Sequence, residues 1–283
     1  MHTFCGMIRN VLSPLVVVVL VASSCAGDAE PTEFSTAQPV STAATVTTST
    51  STIPTPSIEP SDATTPPTSF RPVTQAEPLT MWIIGDSFLE LFGPALVNRS
   101  IDTGVIEAEV DFRYVSGLSR PDYFDWPAYI AEKLPKENPD AVIVMFGGND
   151  AQDVEVGGER FDVGTQAWAD LYCVRVAEAM DTLLTEVDRV YWIGLPIMKS
   201  DRFTANVKTM NGAYEAEAAQ RPRVTYISSF ELFQDEDGEY SAYLDGKLMR
   251  FTDGAHFVWN GAYRLADAVL PIIAADWSIQ LES

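Results

Sequence analysis

The hydrophobic pattern divides the chain into three parts. An apolar run from Val11 to Ala22 follows a weakly basic start at Arg9, and residues 31–78 then carry almost no aromatic or large aliphatic side chains. From Leu79 to Ser283, short apolar, β-branched runs alternate with longer amphipathic stretches. The short runs predict strands at 80–84, 109–115, 141–146, 190–195 and 224–228, several apolar enough to be buried on both faces. Apolar residues at helical spacing predict helices at 126–134, 167–187, 204–219 and about 260–276. Regular alternation of the two predicts an α/β domain, with a parallel five-stranded sheet covered on both sides by helices in three layers. Ligands of such sheets gather outside the carboxyl ends of the strands.

The first part reads as a secretory signal, residues 1–24: a basic start, an apolar run of about a dozen residues, then Ser23 and Ser24 before Cys25. A spanning helix needs about 20 apolar residues, and Pro14 interrupts this run, which argues against a lasting transmembrane anchor. Leu20-Val21-Ala22-Ser23-Ser24-Cys25 resembles the bacterial lipobox, in which the cysteine is lipidated and becomes the new N-terminus. Alanine at position 22 departs from the preferred leucine and leaves ordinary cleavage and plain secretion as the competing expectation. The chain is thus expected to be exported, as an envelope lipoprotein through Cys25 or as a secreted protein, with the membrane met only through that anchor.

Residues 25–78 are expected to form a tether. Between Pro31 and Pro78, 29 of 48 residues are Ser, Thr or Pro, too little apolar surface to offset the entropy of ordering. A segment of this kind spans between about 40 Å as a coil and about 150 Å as an extended polyproline form. Residues 79–283 suffice for one well-buried domain.

That domain holds 16 Lys and Arg against 34 Asp and Glu, a formal charge of −18. Nucleic-acid binding is excluded on this balance, because phosphate contacts need a basic face. The domain has one cysteine, Cys173, whose apolar neighbours at helical spacing mark it as a small core residue. One histidine and one cysteine, 83 positions apart, make no usual zinc site. No dinucleotide or phosphate-loop glycine pattern occurs, and the acidic run Asp235-Glu236-Asp237 reads as a solvated loop rather than a calcium site. Neither metal nor cofactor is expected.

Four short segments carry candidate chemistry: Gly85-Asp86-Ser87, Ser116-Gly117, Gly147-Gly148-Asn149-Asp150 and Asp253-Gly254-Ala255-His256. The first three follow predicted strands and the last precedes the final helix. Only two histidines exist, and His2 lies in the signal, so a candidate base is narrowed to His256. A serine hydroxyl needs a base within hydrogen-bond reach and a third group to orient that base. Ser87, His256 and Asp253 meet this demand, since a spacing of three lets one turn of chain place the Asp253 carboxylate beside the imidazole. The oxyanion formed from an ester carbonyl needs donors aimed at it in advance. The backbone N–H of Ser87, the N–H of Gly117 and the side-chain amide of Asn149 are the candidates. Singly each segment is no more than a turn signal; the ordered set points to catalysis. There is no Gly-x-Ser-x-Gly elbow.

These four segments resemble the conserved blocks of the SGNH or GDSL hydrolase superfamily, with Ser87, Gly117, Asn149 and His256 in the naming positions. The resemblance spans the globular domain but neither signal nor tether. It implies a flavodoxin-like α/β/α fold and a serine hydrolase. Phe88 stands where many members have leucine. Residues 116–127 and Asn149-Asp150-Ala151-Gln152 are more similar to a bacterial secreted branch of unassigned activity.

Arg120, Tyr123 and Trp126 follow the second segment closely, and aromatic faces with a guanidinium suit a sugar or a carboxylate. The competing reading puts Tyr123, Phe124 and Trp126 into the core of the next helix. Asp150 is expected to orient a loop by hydrogen bonding. Three functional readings stand at this point. The first is a serine esterase that removes a small acyl group from an envelope or extracellular glycan. The second is an O-acyltransferase using the same triad, and the third a non-catalytic glycan-binding lipoprotein.

Overall fold

The computed structural model describes residues 70–281; the expected signal, Cys25 and most of the expected tether lie outside them. In chain order the elements are β1 (Leu79–Gly85), α1 (Leu89–Asp102), β2 (Ile106–Phe112), α2 (Trp126–Glu137), β3 (Ala141–Met145), β4 (Val154–Val156), β5 (Glu159–Phe161), α3 (Gln166–Leu183), β6 (Arg189–Ile193), α4 (Asp201–Ala219), β7 (Val224–Ile227), β8 (Tyr243–Leu244), β9 (Lys247–Leu248) and α5 (Trp259–Asp276). Five strands form one sheet in the order β2-β1-β3-β6-β7, and every pairing in it is parallel. Helices α1 and α5 pack together, as do α2 with α3 and α3 with α4, so the sheet lies between two helical layers. The flavodoxin-like α/β/α fold expected from the sequence is the one observed.

Central strands owe their position to their composition. All five residues of β3, AVIVM, are buried, as a strand covered on both faces requires. Strand β2 sits at the edge with mostly half-exposed residues. It begins and ends three residues earlier than its apolar pattern predicts; Tyr114 and Val115 belong to the following loop and are exposed.

Helix α1 has no counterpart among the predicted elements. Gly93 and Pro94 interrupt its pattern and read as breakers. Tertiary packing overrides them: a β-carbon at position 93 would run into the Val110 side chain, so glycine lets α1 lie close against β2. Two small antiparallel hairpins, β4-β5 and β8-β9, were likewise not anticipated.

The folded unit also begins before residue 79. The Phe70 ring stacks on Trp277 with centroids 4.1 Å apart. Arg71 forms a forked ion pair with Asp140, Nε to Oδ1 at 3.0 Å, and its Nη1 donates to the Glu77 carbonyl at 3.0 Å. The expected tether boundary at 78 therefore moves to before Phe70, since one aromatic ring and one arginine fasten a segment whose composition otherwise matches the tether. No helix among the described residues is long and apolar enough to cross a membrane.

Candidate active site

The strand order reverses at β1, whose neighbours are β2 and β3, and the candidate residues collect at the carboxyl ends of these three strands. Ser87 lies two residues beyond β1, Gly117 five beyond β2 and Asn149 four beyond β3. The loop before α5 supplies Asp253 and His256. Ser87 Oγ is 2.8 Å from His256 Nε2, and His256 Nδ1 is 2.8 Å from Asp253 Oδ2. Hydroxyl, imidazole and carboxylate thus form one continuous relay, joining residues 169 positions apart.

Local turns build the acidic end of that relay. Asp253 Oδ1 accepts from the N–H groups of Ala255 at 2.9 Å and His256 at 3.1 Å, leaving Oδ2 for the ring. Partial burial works to raise the Asp253 carboxyl, but those N–H donors and the imidazole outweigh it and hold the group below its ordinary range. Gly254 has φ +73° and packs against the Lys199 side chain where a β-carbon would sit, so glycine is needed both for the left-handed turn and for the close approach. Phe88 is buried and stacks on the His256 ring, centroids 5.3 Å apart. Its larger ring gives the imidazole a flat wall.

Two buried carboxylates tie the segments together. Asp86 accepts three backbone N–H bonds, from Phe88 at 2.9 Å, Gly147 at 2.9 Å and Gly148 at 2.7 Å. It joins the first segment to the third. Burial pushes the Asp86 carboxyl up to about 7 despite these donors, with the nearby Asp150 charge adding to the rise. Asp150 joins the third segment to the second, accepting from Ser119 N–H at 2.7 Å and from the Tyr172 hydroxyl at 2.7 Å. Burial raises its carboxyl as well. Tyr172 in turn meets the Tyr214 hydroxyl at 2.7 Å. The loop-orienting role expected of Asp150 has this geometry behind it; the equal part of Asp86 was missed, although its place inside Gly-Asp-Ser was a signal.

The three candidate oxyanion donors are free to serve. Among the described residues no acceptor in the chain takes the N–H of Ser87 or of Gly117. Asn149 Nδ2 donates one hydrogen to the Ser116 carbonyl at 3.0 Å, which fixes the amide and leaves its second hydrogen unused. Val115, just before this segment, has φ +60°, a costly conformation for a β-branched residue and one that tends to occur at functional sites.

An open cavity of about 340 Å³ is lined by Ser87, Glu90, Tyr114, Val115, Asn149, Phe251, Asp253 and His256. A second, of about 260 Å³, shares Asn149 and is completed by Gly148, Ala151, Ser200, Arg202, Phe203 and Asn206. Arg120 and Tyr123 line neither. Arg120 forks onto Asp122 at 2.7 and 2.6 Å, and Tyr123 is 60% exposed. Trp126 is fully buried and its Nε1 donates to Ser116 Oγ at 3.0 Å, so it supports the second segment from beneath, and the core reading of that residue holds.

Arg250 also escaped sequence reasoning. It is 1% exposed, lies 4.7 Å from the ring centroids of both Phe233 and Phe257, and donates to the carbonyls of Ala255 and Ile197. Burial lowers it to about 10, so it stays charged at neutral pH while holding the His256 loop. Among the described residues no cluster of three or more His, Cys, Asp or Glu side chains is placed to hold a metal ion.

Comparison with solved structures finds the same fold at low identity. An acetyl xylan esterase from Geobacillus stearothermophilus is 15% identical with a TM-score of 0.53, covering 72% of this chain and 97% of that one. The C-terminal catalytic domain of peptidoglycan O-acetyltransferase A from Streptococcus pneumoniae is 14% identical with a TM-score of 0.51, over 73% and 98%. TesA is 20% identical with a TM-score of 0.50, over 70% and 99%. No curated protein matches the chain. A family model described as "Protein of unknown function (DUF459)" matches residues 80–272. The chain therefore belongs to the DUF459 family, with the fold of the SGNH/GDSL hydrolases.

Proposed function

We propose that this protein is a serine esterase that removes an acyl group from a hydroxyl of an envelope or extracellular glycan. The observation that carries the reading is the relay of two 2.8 Å contacts from Ser87 through His256 to Asp253. Ser87 Oγ attacks the ester carbonyl carbon while its proton passes to His256 Nε2, and Asp253 stabilises the imidazolium. The N–H groups of Ser87 and Gly117 and the Asn149 amide receive the oxyanion. The carbonyl–oxygen bond to the alcohol breaks as His256 returns the proton to the leaving oxygen. Water, deprotonated by His256, then splits the acyl-enzyme and releases the acid.

Tyr114 and Phe251 are 54% and 46% exposed at the mouth of the first cavity, and aromatic faces around an open cleft suit a sugar ring. An exported location, as a lipoprotein anchored through Cys25 or as a secreted protein, is the expectation from the N-terminal sequence and fits such a substrate. The esterase and O-acetyltransferase names among proteins of this fold agree with acyl chemistry on glycans.

The test is hydrolysis of short-chain aryl esters by the full chain, with Ser87→Ala as blank. Loss of about 10³-fold or more is expected in that variant, together with a phosphonate adduct on Ser87 in the wild type. A chain that neither hydrolyses esters nor takes up phosphonate is a non-catalytic binding protein. Transfer to an added glycan acceptor in excess of hydrolysis makes it an acyltransferase.

A further inference from the structure

The second cavity shares Asn149 with the first and has a cation in its lining. There are twelve arginines among the described residues. All but one make an ion pair or hydrogen bond within the chain. The exception is Arg202, which lines this cavity. Arg202 is exposed, so in a domain where acidic residues outnumber basic ones by about two to one its guanidinium meets solvent at the cavity rather than a carboxylate of the chain. The side chain of Asn206, one helical turn further along α4 and half-buried in the same wall, also makes no hydrogen bond within the chain. Arg202 and Asn206 thus present donors to the cavity with nothing in the protein to receive them. The one acidic residue in the first turn of α4, Asp201, is exposed and is not part of the lining.

The two cavities differ in charge. The first holds the carboxylates of Glu90 and Asp253 and no cation, whereas the second holds Arg202 and no carboxylate. Chemistry assigns which part of an ester enters each. The group that protonates the leaving oxygen is His256, which lines the first cavity alone, so the alcohol must depart there. Asn149 lines both cavities, which leaves the second as the space open to the acyl chain. An acetyl group would fill a small part of that space and leave the guanidinium unused.

Resting on the esterase reading, the geometry points to the second cavity as an acyl subsite for a short dicarboxylic half-ester, such as a succinyl group, whose free carboxylate is received by Arg202 and Asn206. A guanidinium accepts a carboxylate through two parallel N–H bonds. The overall reaction is that of any ester: the O-succinyl glycan and water give the glycan hydroxyl and succinate.

The test compares methyl glucoside carrying a 6-O-succinyl or a 6-O-butyryl group, which have the same chain length and differ in the carboxylate. With the full chain, kcat/KM for the succinyl ester is expected to exceed that for the butyryl ester by about tenfold. The ratio should collapse towards one in Arg202→Gln and be partly kept in Arg202→Lys. A wild-type ratio near one, or a ratio unchanged in Arg202→Gln, overturns the subsite. Calorimetric binding of both glycosides to the Ser87→Ala chain separates the two claims. Selective binding of the succinyl compound that Arg202→Gln abolishes, with no turnover of either ester by the wild type, keeps the subsite and removes the esterase. Equal binding of both removes the subsite even where turnover is seen.

Discussion

The Asp150 carboxylate occupies the space that a β-carbon on Gly117 would need. Residue 117 is therefore confined to glycine by a carboxylate from another segment, and the N–H proposed to meet the oxyanion is held in place by that packing. Gly117→Ala must displace either the buried carboxylate with its bonds to Ser119 and Tyr172 or the loop itself. A loss of about 2–4 kcal/mol in stability is expected, with a fall of about 10²-fold or more in kcat. Denaturant unfolding and ester kinetics measure the two; unchanged kcat would separate Gly117 from the reacting centre.

Asn149→Ala removes the amide whose spare hydrogen is proposed to meet the oxyanion. A donor used in the transition state alone lowers kcat by about 10²- to 10³-fold and leaves KM nearly level. A raised KM with kcat intact would instead make Asn149 a ground-state contact.

Stability should fall as pH rises, on account of Asp86. An unfolded aspartate loses its proton near pH 4, whereas burial holds Asp86 in the fold to about 7. Between these values the folded state binds more protons than the unfolded one, so this group's contribution is fully present below about pH 4 and is lost as pH rises through about 7. The slope amounts to a decline on the order of 2–4 kcal/mol across that window. Asp86→Asn cannot titrate, and denaturation at pH 5 and pH 8 should show a flatter profile than wild type. Identical profiles would refute the assignment.

Phe70 and Arg71 should count as part of the domain. A chain starting at Leu79 loses the ring stacked on Trp277 and the ion pair to Asp140, and is expected to unfold about 2–3 kcal/mol more easily than one starting at Phe70. Equal melting temperatures for the two would return residues 70–78 to the tether.

Much of this molecule was legible before any coordinates. Apolar runs of strand length separated by helical periodicity require a layered α/β arrangement, and the burial of β3 on both faces follows from its lack of any polar residue. The relay was legible because its demands are local or chemical. Asp253 and His256 share one turn, the domain has a single imidazole, and a serine after a strand end is a recognisable candidate nucleophile. Helix α1 was not legible, since Gly93 and Pro94 contradict the helical signal and packing against Val110 supplies the reason for the glycine. Nor was the position of Arg120, which sits close to Gly117 in sequence and yet turns away to Asp122. Contacts such as Asp86 to Gly148, Arg250 to Ile197 or the meeting of α4 with Asn149 at one cavity join residues that are 53 to 62 positions apart. They leave no periodic trace along the chain. Residue type and short spacing determined which chemistry is available, while the closure of loops over the switch point of the sheet decided which side chains a substrate meets.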